Sequence, residues 1–286
     1  LCFGGVDEFY EGKFVQTKDR QLSGETNLKS FFRTIFRLIN IEGYEIRYFK
    51  KYLAKITQHA PQTILDFGCG GGTAILPEFG RVVGVDISLA SLLQAQSIYD
   101  EVYQIDGERL PFREASFDIV FSSHVFGHIP LRQKPAVISE IYRVLKPGGH
   151  VISSIECDCE SIIYERAKKY PTLYSKCYIE PWGHYGLELP HANFQRFREA
   201  GFTPIIESAD IHKGYIRPVT SYENLLQYKG KDPLLYGLGR FSHEIAKSPL
   251  LVRALNLLFG LAVPLAYLFT PSNHRDSAKA LYRKPL

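Results

Sequence analysis

The chain has 286 residues, of which 45% are hydrophobic and 22% charged, with a formal net charge of +4. These values exclude a disordered or disulfide-scaffold protein and fit one large α/β domain carrying an insertion or small appendage. The 34 basic residues are scattered, and pairs such as Lys50-Lys51 and Lys168-Lys169 read as solvated helix faces. A nucleic-acid partner, which needs a clustered basic face, is therefore not expected. Five cysteines, at 2, 69, 157, 159 and 177, point to a reduced, cytoplasmic setting. Cys157-x-Cys159 lacks metal-ligand spacing and has no second pair, so both read as core or loop residues and no metal is expected. The sequence opens on Leu1 and contains no methionine, which reads as a chain whose own start is not included.

In chain order, residues 1–26 show no sustained period and form a lead segment. From Asn27 to about Ile56 apolar residues recur at helical spacing (Phe31, Phe32, Ile35, Leu38, Ile39, then Ile46, Phe49, Leu53, Ile56), predicting two helices hinged near Glu42-Gly43. Pro61 ends the run, and a first strand begins at Thr63. A second apolar run, Arg81 to Val85, ends in Asp86. Ser88 then caps a helix predicted through about Tyr99. Val102 to Ile105 is a short strand ending at Asp106, and Phe117 to Ser122 a fourth. A helix from about Arg132 to Leu145 stops at Lys146-Pro147-Gly148-Gly149, and His150 to Ile155 is the fifth strand. Strands alternating with helices at this rhythm imply a parallel, doubly wound sheet, whose ligands bind beyond the carboxyl ends of the strands.

Those ends carry the informative residues. The first strand runs into Asp66-x-Gly68-x-Gly70-x-Gly72, and Asp86 follows eighteen residues after Gly68. A strand, a glycine turn, a helix and a second strand closing on an acid is the plan of a nucleoside site. The glycines admit the ligand to the backbone and the acid accepts from ribose hydroxyls. The dehydrogenase spacing G-x-G-x-x-G fails, because Thr73 occupies its last position.

Five segments carry a family resemblance: ILDFGCGGG (64–72), VVGVDIS (82–88), DGERLPF (106–112), SFDIVFSSHVFGHI (116–129) and RVLKPGGHVI (143–152). In this order they resemble the class I S-adenosylmethionine-dependent methyltransferases, methyltransferase type 11 subgroup, and within it the ubiquinone and menaquinone biosynthesis enzymes. The resemblance implies a Rossmann-like α/β fold with a seven-stranded sheet of order 3-2-1-4-5-7-6, strand 7 antiparallel. It implies S-adenosyl-L-methionine as cofactor and S-adenosyl-L-homocysteine as product. Gly68, Cys69, Gly70 and Gly72 are implied to frame the turn beneath the methionine part, with Asp66 near its amino group. Asp86 would hold the ribose hydroxyls, Ile87 the adenine face, and Asp106 with Gly107 the adenine amino group. Ser122, Ser123 and His124 would stand under the sulfonium. Family members often carry Glu before the histidine of the fourth segment, where this chain has Gly127.

Methyl transfer requires alignment of the acceptor with the methyl group and, for a hydroxyl or amine, a base. His128, just past the fourth strand, and His184, in the loop Pro181-Trp182-Gly183-His184-Tyr185-Gly186, are the expected catalytic residues. His124, Glu156 and His191 are further candidates. The expected organisation is 1–60 lead segment and helices, 61–209 cofactor-binding core, 210–275 apolar and aromatic insertion, and 276–286 final strand. A helix over 191–200, a sixth strand over 202–207 and a seventh over 278–283 bound a mostly helical insertion, long enough to be a lid or binding element. Within 249–270, only Ala254–Phe269 is free of charge, shorter than the roughly twenty residues of a membrane span. This stretch reads as a lid over an apolar pocket or as a peripheral contact with the inner face of a membrane. The expected partner is a small, hydrophobic or lipid-linked acceptor, methylated at O, N or C. A non-catalytic binding or assembly subunit and a protein methyltransferase are the alternatives.

Overall fold

A computed structural model describes residues 41–58, 62–107, 109–211, 222–255, 258 and 268–286, with residues 41–44 as backbone only. The lead segment, the helix expected before residue 41, Tyr215 and most of the apolar stretch within 254–269 lie outside the described residues. Seven strands form one sheet: β1 (Gln62–Phe67), β2 (Gly80–Asp86), β3 (Glu101–Gln104), β4 (Phe117–Ser123), β5 (Leu145–Glu156), β6 (Thr203–Asp210) and β7 (Ser277–Arg283). Their order is β3-β2-β1-β4-β5-β7-β6, and β7 runs antiparallel to both neighbours. This is the expected Rossmann-like methyltransferase topology.

The strands read as near-continuous apolar runs because both faces of the sheet are covered. Side chains alternate between the faces. Leu65, Val83, Val85, Val120 and Val151 pack with Val137, Ile138 and Ile141 of a helix over Lys134–Val144 and with Phe194 and Phe197 of another over Pro190–Glu199. Ile64, Val82, Ile119, Phe121 and Ile152 face the other way. There they meet Phe49 and Leu53 of α1 (Ile41–Ile56) and Leu92 and Ala95 of α2 (Leu89–Ala95). The helix over Lys134–Val144 is α3. A fourth, α4 (Ile162–Lys168), precedes the Pro190–Glu199 helix, which is α5.

α1 begins at Ile41 and runs through Glu42-Gly43, and the helix expected before it lies outside the described residues. Two local expectations change. The helix capped by Ser88 ends at Ala95 rather than Tyr99; Ser97 donates its hydroxyl to the Gln94 carbonyl (2.8 Å) and the chain turns. Lys146-Pro147-Gly148-Gly149 stops α3 but also lies within β5. Phe117 pairs with Leu145 and Ile119 with His150, so the extra residues form a bulge.

One polar cluster is sealed into this framework. Lys134 is 0% exposed, and its ammonium donates to Glu188 Oε1 (2.8 Å) and Asn193 Oδ1 (2.9 Å). Arg196 Nε donates to the same Glu188 carboxylate at 2.8 and 3.0 Å. Burial drives the Lys134 ammonium below its ordinary pKa, and Glu188 opposes that shift. The cluster fastens the loop before α5 onto α3.

Beside the sheet, α4 and the helical turns after it pack against a 3₁₀ segment over Glu223–Tyr228 and α6 (Pro233–Ala246). Ala167, Cys177, Leu225, Tyr228 and Leu235 form the buried centre, ringed by Tyr170, Tyr174, Tyr178 and Tyr222. Two of the insertion's tyrosines, Tyr222 and Tyr228, therefore serve packing. Among the described residues no helix is long and apolar enough to cross a membrane. Leu250, Leu258, Leu268 and Phe269 are exposed. Cys157 and Cys159 are buried free thiols, as core residues should be.

Candidate active site

The strand order reverses between the parallel neighbours β1 and β4, and a cleft of about 280 Å³ opens over the carboxyl ends of the strands there. Its polar floor is the turn after β1. Gly68 and Cys69 donate their N–H groups to the Val85 carbonyl (both 2.9 Å), locking the turn to β2. Asp86 is held at both oxygens: Oδ2 accepts from Gly70 N (2.8 Å) and Oδ1 from Ser88 N (2.9 Å). A carboxylate oxygen can accept more than one hydrogen bond. Gly70 has φ +52, and a Cβ there would meet nothing within 4 Å, because it would project into the open cleft. The turn is thus a cradle that a side chain would fill.

Asp66 does not line the cleft. It lies 1% exposed beneath the glycine turn, where the Tyr99 hydroxyl donates to it and accepts from Thr73 N. Burial pushes the Asp66 carboxyl up to about 7, the Asp86 charge adds to this, and the Tyr99 hydrogen bond opposes it. With a folded pKa above the unfolded value of about 3.9, the native state retains a proton that the unfolded chain loses. Stability should therefore fall as pH rises from about 4 to 7, by up to about 1.4 kcal/mol per pH unit from this group. Urea unfolding of the wild type and Asp66→Asn across that range should show the excess slope in the wild type alone; parallel slopes would overturn the assignment.

His124 follows β4 with φ +59, an uncommon left-handed conformation for a non-glycine residue, and its N–H donates to the Ser154 carbonyl (2.9 Å). Its imidazole bridges two carboxylates: Nε2 is 3.0 Å from Glu45 of α1, and Nδ1 is 3.0 Å from Glu156 at the end of β5. Burial opposes the charged ring, but the two carboxylates outweigh it and hold its pKa at about 10. Both glutamates, in turn, are brought down to about 2 despite burial. This bridge joins α1 to the ends of β4 and β5.

At the far end of the cleft, His128 Nδ1 is 3.1 Å from the Gly183 carbonyl. A carbonyl only accepts, so Nδ1 carries a proton in this contact. The His184 ring packs against it, with centroids 4.9 Å apart. Gly186 N donates to the Gly127 carbonyl (2.9 Å), and a Cβ at Gly186 would fall 1.8 Å from the Ile129 carbonyl oxygen. Only glycine allows the two loops to dock so closely. A Cβ at Gly127 would stand 3.0 Å from Glu156 Cβ and 3.2 Å from its Oε2. The acid that position 127 lacks is supplied in space by Glu156.

Of the residues expected from sequence, Gly68, Cys69, Gly70, Asp86, Ile87, Gly107, Ser123, His124 and His128 line the cleft. Gly72 backs onto Ala95 and Tyr99, and Ser122 is fully buried beneath the floor. Asp106 is exposed between Ile105 and Gly107, which both line the cleft. His184 stands behind His128, outside the lining, and His191 is exposed at the start of α5. Glu45 and Tyr99 escaped sequence reasoning, as did the apolar walls Phe67, Ile105, Val125 and Val137.

A sheet of this order, with the glycine cradle after β1 and an anchored acid closing β2, is the fold of the class I S-adenosylmethionine-dependent methyltransferases. Residues 65–153 match the family described as a methyltransferase domain. An uncharacterised methyltransferase of Synechocystis sp. is 36% identical over 116 residues, covering 39% of this chain and 54% of that protein. Phosphoethanolamine N-methyltransferase 1 of Arabidopsis thaliana is 32% identical over 169 residues, covering 55% of this chain and 32% of that protein. The chain thus spans about half of the first relative and a third of the second. Among solved structures, Haemonchus contortus phosphoethanolamine N-methyltransferase 2, in complex with phosphomonomethylethanolamine and S-adenosylhomocysteine, aligns with a TM-score of 0.52 at 21% identity. The alignment covers 96% of this chain and 61% of that one, and shows the common fold. S-adenosylmethionine is the cofactor of such a domain, and the open cradle at Gly70 beside the Asp86 carboxylate fits it.

Proposed function

We propose that this chain methylates an O, N or C atom of a small acceptor held at the His128 end of the cleft. The observation that carries this reading is the continuity of one cleft from Asp86 to His128. S-adenosylmethionine supplies an electrophilic methyl group on a cationic sulfur. Asp86 receives the ribose hydroxyls, Ile87 packs on the adenine, Gly107 offers backbone beside it, and Asp106 stands at the adenine edge. The glycine turn takes the amino-acid portion, with Asp66 acting from beneath through Tyr99. The Glu45–His124–Glu156 bridge carries two carboxylates against one imidazolium, a net negative charge that favours a cation nearby.

His128, His184 and Glu156 form the acceptor-activating group. Docking of the 183–186 loop fixes the His128 tautomer, so that Nε2 faces an incoming acceptor with its lone pair. The Phe67, Val125, Ile129 and Val137 walls suit an acceptor with an apolar body, and exposed Leu250 and Leu268 support delivery of a lipid-linked one. The relatives named for phosphoethanolamine, together with a malonyl-[acyl-carrier protein] O-methyltransferase of Erwinia billingiae (28% identical over 172 residues), favour an acceptor that also bears an acidic group. The likeness to quinone-biosynthesis enzymes rests on the five motif segments and would add phenols and acidic carbons.

Incubating the protein with S-adenosylmethionine and a panel of amino-alcohol phosphates, carboxylic acids and phenols should release S-adenosylhomocysteine with at least one class. His128→Asn should lower kcat by about 100-fold, within the range of general-base effects, while cofactor affinity holds. Cofactor binding without turnover across the panel would favour the non-catalytic alternative.

A further inference from the structure

The donor atoms of His128, Glu156 and His184 all lie within 4.8 Å of one another, although 28 residues separate each histidine from Glu156 in sequence. We propose that these three residues bind a divalent transition ion of the zinc class, and that its open face takes an anionic oxygen of the acceptor. This rests on the reading that the His128 end of the cleft receives the acceptor; there Nε2 ligates the ion instead of acting as the base, and the ion activates the acceptor oxygen.

Three features support the site. The donor set, two imidazoles and one carboxylate, is that of zinc sites that keep a coordination position open. His128 already has the outer hydrogen bond typical of a ligating histidine: Nδ1–H donates to the Gly183 carbonyl. Glu156 divides its oxygens. Oε1 faces the His124 imidazolium at 3.0 Å, whereas Oε2 is buried and accepts no hydrogen bond from any described residue. A buried carboxylate oxygen without a donor carries a desolvation cost that a cation would relieve. The Glu156–His124 ion pair then orients the ligating carboxylate.

The framework is rigid where a site needs it. Gly186 N is bonded to the Gly127 carbonyl, so the loop bearing His184 is fixed to the segment bearing His128, and Gly127 leaves room for Glu156 between them. In a tetrahedral site with bonds of about 2.0–2.1 Å, donor atoms stand about 3.3 Å apart, and side-chain rotation of the two histidines supplies the contraction. His128 lines the cleft, which leaves the open position facing the acceptor. One carboxylate against a dication leaves a positive charge, hence the preference for a carboxylate, phosphate monoester or enolate oxygen.

The test uses the full chain, stripped with a chelator and titrated calorimetrically with Zn²⁺ without cofactor, and separately with Co²⁺ followed by visible absorption. One equivalent of Zn²⁺ should bind, and Co²⁺ should develop the intense bands of a four- or five-coordinate ion. Glu156→Gln and His184→Ala should each weaken Zn²⁺ binding at least about tenfold, whereas His191→Ala leaves it unchanged. Thermal melts establish that each variant is folded, and His184→Ala carries the test if Glu156→Gln is not. Absence of stoichiometric Zn²⁺ binding, or binding indifferent to both substitutions, overturns the site. Chelator-resistant turnover with intact cofactor binding would also overturn it and leave the methyltransferase reading standing; failure of cofactor binding would count against that reading instead.

Discussion

Asp86→Ala is expected to weaken S-adenosylmethionine binding by about 100-fold or more. A charge-assisted hydrogen bond contributes about 1.5–3 kcal/mol, and 1.4 kcal/mol is a factor of ten. The substitution removes the two bonds that hold Gly70 N and Ser88 N and, on the proposed reading, the acceptor of the ribose hydroxyls. The glycine turn and the start of α2 lose their common anchor, so the preorganised cradle loosens as the direct contact vanishes. Asp86→Asn keeps one acceptor oxygen and should fall between the wild type and the alanine variant. Calorimetric titration measures both, with circular dichroism to confirm the fold. Unchanged affinity in Asp86→Ala would remove this residue from the site.

Glu188→Ala is expected to cost about 3–5 kcal/mol of stability, the range for removing one partner from a buried ion pair. The loss strands the Lys134 ammonium, fully enclosed, with Asn193 as its remaining described partner. Lys134→Met should cost less, because Glu188 keeps Arg196 and the methionine chain fills the same space. Urea unfolding of the two variants decides the matter. Equal costs would mean that water or rearrangement rescues the stranded ammonium. The cluster also holds the loop that brings His184 to His128, so Glu188→Ala should slow turnover beyond what its unfolded fraction explains.

The parallel strands were legible because burial on both faces demands unbroken runs such as Ile64-Leu65 and Val82-Val83, and few other contexts do. Gly70 and Asp86 were legible as cleft-lining positions for a related reason: a turn that must open onto a cleft leaves narrow choices of residue at fixed places after a strand. Elements whose ends depend on tertiary partners were read less well. Tyr99 was assigned to a helix, yet its hydroxyl is drawn beneath the turn to Asp66, ending α2 a turn early. Lys146 to Gly149 carries turn chemistry and is a turn for α3, but its neighbours pair with β4 as a bulge. The acceptor end was half legible. His128, His184 and Glu156 could be chosen by residue type, whereas Glu45 meets His124 only after α1 is brought to the end of β4. Gly127 was a misleading sign, since it reads as a missing acid when it is the space that Glu156 needs.

The last strand has an evolutionary consequence. Asp210 and Ser277, the residues at which the chain leaves β6 and rejoins β7, are partners in the same ladder. The 66 residues between them therefore begin and end at one point on the sheet edge. Loop-closure entropy grows only logarithmically, so replacing so long an excursion by a tight hairpin alters that term by about 2 kcal/mol. The junction works as a socket. Successive excursions can be exchanged there with little penalty to the sheet, and the reaction at the strand ends can be redirected to new acceptors while its cofactor floor stays as it is.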